Sequence, residues 1–158
     1  MALMEGCAEK IPRTGPQEWR RALGAVAAEM PVYLLTFSIE PIARAYAAAA
    51  GSDGRAIFRG WRGTPVEACG GLFRSCLFEN GSFTPEAKAG ELTRILEGTG
   101  RGRPLVIGHG EDEAAMFAMA EKMGGGSIAL SVRGSGVEHL GATIIVPSWH
   151  VLSMALGG

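Results

Sequence analysis

Five places in this chain carry side chains suited to chemistry. Glu111, Asp112 and Glu113 stand in a row directly after the apolar run PLVIG, where a strand gives way to a helix. Adjacent carboxylates there are hard oxygen donors for a divalent cation. Equally, acids in a first helical turn complement the helix dipole, each contributing ~0.3–1 kcal/mol, with no function attached. Thr36 and Ser38 close the apolar run VYLLTFS, as hydroxyls that either hold an oxyanion or satisfy neighbouring backbone. Lys88 lies near the start of a helix, TPEAKAGELTRILEG. A cation opposes the dipole there, so anion binding stands level with the solvated surface that is the ordinary fate of a lysine. Glu5 and Cys7 bracket a glycine in the opening MALMEGCAEK, an acid and a thiol that is inert unless a nearby cation favours its thiolate. His109 either ligates a metal or titrates near neutrality, or is hydrogen-bonded turn structure.

The elements that must position these residues alternate along the chain. In QEWRRALGAVAAEM, Trp19, Leu23, Val26 and Met30 recur at helical spacing, which predicts an amphipathic helix buried along that stripe. PVYLLTFS then reads as a strand buried on both faces of a parallel sheet, and IEPIARAYAAAAG as a helix with Pro41 in its first turn. GRAIFRGW is a further strand, and Gly70-Gly71 and ENGS punctuate an irregular or hairpin region behind it. Thr84 caps the next helix, Pro85 occupies its first position, and Ala87, Leu92, Ile95 and Leu96 mark its apolar side. RPLVIG is a buried strand, EDEAAMFAMAEKMG a helix with Met116, Met119 and Met123 on its core stripe, and GGGS a turn, not a nucleotide loop. SIALSV and ATIIVP are strands, and SWHVLSMAL is a short closing helix.

Repeated alternation of this kind predicts an α/β fold, helices packed on both faces of a mostly parallel central sheet as in a Rossmann-like three-layer sandwich. Functional groups then emerge from the loops after strands. At 158 residues, without a linker or repeat, the chain reads as a single domain over 1–158. A formal charge of -1 gives no basic footprint for nucleic acid. No apolar run approaches the ~20 residues of a membrane helix, and the N-terminus lacks the pattern of a signal peptide. Three cysteines without C-x-x-C spacing suit a reducing compartment, so the default is a soluble cytoplasmic protein without a disulfide framework.

The order and spacing of these segments resemble the haloacid dehalogenase-like hydrolase superfamily, in its phosphoserine-phosphatase-like branch, over nearly the whole chain. VYLLTFS resembles the second motif, an apolar strand ending in Ser or Thr, with Thr36 at the motif position and Ser38 beside it. FENGSFTPEAKAGEL resembles the hairpin and helix of the third motif and points to Lys88. VIGHGEDEAAMFAMAE resembles the frame of the fourth, a strand ending in a GDSxND-like turn.

The resemblance implies carboxylate covalent catalysis of phosphomonoester hydrolysis. An Asp attacks phosphorus, a second Asp two residues on is general acid and base, and Mg²⁺, Ser or Thr and Lys neutralise the transferring group. Thr36, Ser38 and Lys88 would hold phosphate, and Glu5, Glu111, Asp112 and Glu113 would hold the metal. The pattern departs from the family at the first motif, where Glu5 and Cys7 occupy the positions of the two aspartates. The extra methylene of Glu5 moves its carboxylate by about 1 Å, which costs on the order of 10²-fold in a positioned reaction. Cys7 does not replace a carboxylic acid. In the fourth motif His109 stands where the first metal-binding Asp belongs, and Glu113 keeps the second acidic position. The first-motif strand would have to come from MALM or lie upstream of Met1. The spacing leaves no room for a cap domain of ordinary size, which in this family goes with large substrates or a neighbouring subunit as lid, hence a homo-oligomer. Two readings follow: a phosphatase-like fold with degraded motifs, non-catalytic or weakly active and binding a phosphorylated small molecule or protein, or an active Mg²⁺-dependent phosphomonoester hydrolase with a rearranged site.

Overall fold

Alternating strands and helices carry through to the computed structural model, which describes residues 17–51, 56–69, 72–76, 84–100, 102–131 and 140–156. The chain is mixed α/β with short parallel sheets, an arrangement compatible with a Rossmann-like fold. Its residues divide into two compact units, 1–83 with 153–158, and 84–152.

In the first unit, helix α1 (Glu18–Glu29) leads into strand β1 (Val32–Ile39), helix α2 (Glu40–Ala49) and strand β2 (Phe58–Thr64). The strands pair in parallel, Val32 opposite Phe58 and Ile39 opposite Thr64, with α2 as the crossover that parallel pairing requires. Pro41 falls in the first turn of α2, where its missing N–H has no helical partner to lose. Gly63 marks a close approach: a Cβ there would lie 2.6 Å from the carbonyl oxygen of Ser38. Strand β3 (Val66–Cys69) and strand β4 (Leu72–Cys76) follow as an antiparallel pair.

Two expectations are corrected here. The buried side of α1 is Trp19 and Ala22, with Leu23 and Val26 half-buried and Met30 exposed. Trp19 sets that face by stacking on Tyr46 of α2 at 5.5 Å, and a small Ala22 suits close approach where larger side chains would hold the helix off. The residues of β1 are half-buried and not enclosed, and Ser38 is exposed.

In the second unit, helix α3 (Pro85–Thr99) precedes strand β5 (Leu105–Gly108), a 3-10 turn (Glu111–Glu113) and helix α4 (Ala114–Lys122). Strand β6 (Gly126–Leu130) and strand β7 (Ile144–Val146) complete a three-stranded parallel sheet in the order β5-β6-β7. Helix α5 (Trp149–Ala155) is the last described element. Among the described residues no helix is long and apolar enough to cross a membrane.

Thr84 caps α3 as its residue type predicts, its Oγ1 accepting the amide of Ala87 at 3.2 Å. Gly100 ends the helix in the left-handed region at φ 64, the conformation glycine adopts without penalty. The core of this unit joins Leu92 and Leu96 of α3, Met116, Phe117 and Ala120 of α4, and Ile128, Ala129 and Leu130 of β6, all buried. Met119 and Met123 are half-buried, and Met119 Sδ accepts the hydroxyl of Thr93 at 3.1 Å. Strand β5 is only partly enclosed: Val106 is buried and Leu105 exposed.

Candidate functional site

The buried side of α3 differs from its apolar pattern at one turn. Ala87 is exposed and Ile95 half-buried, while Lys88 joins Ala89, Leu92 and Leu96 inside. Lys88, Leu92 and Leu96 fall at i, i+4 and i+8, so the lysine extends the apolar stripe one turn toward the helix start. It is 2% exposed, which excludes the solvated surface reading. Burying an ammonium demands a partner of opposite charge.

Glu113 provides that partner. Its Oε1 accepts from Lys88 Nζ at 2.8 Å, across a sequence separation of 25. Its other oxygen, Oε2, accepts the backbone amides of His109 at 3.1 Å and Gly110 at 2.9 Å. The amide of Glu113 in turn donates to the carbonyl of Gly110 at 3.2 Å. One carboxylate therefore fastens the turn after β5 to itself and to α3.

The turn is shaped to receive this side chain. A Cβ on Gly108 would stand 2.3 Å from Cγ of Glu113, so no other residue type fits at the end of β5 without displacing the glutamate. Glu113 is 9% exposed. Burial pushes its pKa up, but the hydrogen bond and charge of Lys88, with the amides of His109 and Gly110, outweigh that and hold it below the usual glutamate range.

The remaining candidates are placed as follows. Glu111 and Asp112 are exposed on the 3-10 turn, and the side chain of His109 faces solvent. Thr36 lies within β1, where its Oγ1 accepts the amide of Ser38 at 3.1 Å, the local backbone bond expected of such a hydroxyl. Thr36 and Ser38 belong to the first unit, Lys88 and the three acids to the second. Glu5 and Cys7 lie outside the described residues.

Both oxygens of Glu113 already serve protein donors, and among the described residues no three His, Cys, Asp or Glu side chains converge on a cation position. The arrangement itself is an internal one: the Lys88 ammonium and the two amides donate to the carboxylate of Glu113, and charge-assisted bonds of this kind are the strong ones. The two amide donors and the need for glycine at 108 escaped the reading of side-chain types. The signal available was the three-residue spacing of Gly110 and Glu113, which lets an acid reach back to a turn amide.

Comparison with known proteins finds no matching family model. It also finds no matching curated protein and no matching solved structure.

Proposed function

We propose that this chain is a haloacid dehalogenase-like protein of the phosphoserine-phosphatase-like kind whose catalytic motifs have degraded, leaving an oxyanion-binding protein with weak phosphatase activity or none. The observation that carries this reading is the Lys88–Glu113 contact of 2.8 Å. Each residue was singled out from a different motif match, the lysine from the third and the acid from the fourth, and they meet inside one compact unit.

The loss of chemistry rests on the residues themselves. Phosphoryl transfer by this route needs a nucleophilic carboxylate and a separate acid and base, and the sequence offers Glu5 and Cys7 in those places. The described acids do not by themselves make a magnesium site.

The test is hydrolysis of an aryl phosphate with and without Mg²⁺ by the native chain, Lys88→Ala and Glu5→Ala. The expected result is no metal-dependent turnover above background. Retained binding of inorganic phosphate, weakened in Lys88→Ala, completes the expectation. Mg²⁺-dependent turnover lost in both variants would overturn the reading in favour of an active hydrolase with a rearranged site.

A further inference from the structure

We draw no further inference here: the strongest candidate, the apolar surface at β7, the last strand of the three-stranded parallel sheet, where Ile144 and Ile145 are exposed, carries nothing because no contact among the described residues shows what covers it.

Discussion

Lys88 Nζ and Glu113 Oε1 stand 2.8 Å apart, with the lysine side chain almost wholly enclosed and the glutamate nearly so. The pair joins α3 to the turn after β5, two segments that the chain reaches at different times. Buried pairs of this kind are not strong sources of net stability, because desolvation of both ions offsets their attraction. Their consequence is felt when one partner is removed.

Replacing Lys88 by Met is expected to destabilise the chain by about 3–5 kcal/mol, since it strands a buried carboxylate. Glu113→Ala removes one partner of the buried ammonium and should destabilise as well. The double variant Lys88→Met/Glu113→Leu, which removes both charges and retains volume, should be more stable than either single one. Denaturant titration of the four forms gives the coupling directly. Additive losses in the double variant would mean that the pair is not acting as a unit.

The same pair makes stability depend on pH in a defined direction. An unperturbed glutamate titrates near ~4.3, and Glu113 is held below its ordinary value by Lys88 and the two turn amides despite burial. Between the two values the unfolded chain holds the extra proton, so stability rises with pH there. The contribution of Glu113 is thus fully present above ~4.3 and is lost as pH falls through the lower folded value. Unfolding measured from neutral pH downward should show the native advantage over Glu113→Gln shrinking in that acid window. A difference that stays constant from neutral to acid pH would contradict the assignment.

Gly108→Ala tests the fit of the glutamate against the strand end. The new Cβ would lie 2.3 Å from Glu113 Cγ and 2.8 Å from its Cβ, so the side chain or the strand has to move. An overpacking cost of about 1–3 kcal/mol is expected. In a Glu113→Ala background the Cγ and Cδ contacts are gone and only the Cβ contact at 2.8 Å remains, so the added cost of Gly108→Ala should drop by half or more. Thermal melts of the four forms decide it, and an equal cost in both backgrounds would place the strain elsewhere.

Much of this fold could be read from residue pattern because its signals are local. Thr84, Pro85 and Gly100 delimit α3 through cap chemistry, and the runs around Leu34, Ile107 and Ile128 lie in parallel strands. Burial was less legible where it depends on a neighbour. The side of α1 that is buried follows Trp19 and Ala22, because Tyr46 on another helix selects it. An alanine-rich helix such as AVAAE carries little contrast between its faces. Lys88 was recognised as chemically out of place but not as buried, since its partner is 25 residues away and no local rule connects the two. The acids of the 3-10 turn were read as one group, yet only Glu113 points inward. Three consecutive residues on a tight helical turn face three directions, so at most one can serve an interior donor.

Two glycines in the first unit should answer the same substitution with opposite signs. Gly63 in β2 would place a Cβ 2.6 Å from the Ser38 carbonyl oxygen and 2.9 Å from Ala43 Cβ. Both neighbours lie at the junction of β1 and α2, and a backbone carbonyl cannot swing aside as a flexible side chain does. Gly63→Ala is therefore expected to destabilise by about 1–3 kcal/mol. Gly24 sits within α1 with nothing inside 4 Å of an added Cβ. Alanine there gains helix propensity and reduces the freedom of the unfolded chain, so Gly24→Ala should stabilise by about 0.5–1 kcal/mol. Chemical denaturation with unchanged denaturant dependence would confirm both as stability changes of those signs. A neutral Gly63→Ala would show that β2 does not approach the β1–α2 junction as closely as the carbonyl distance implies.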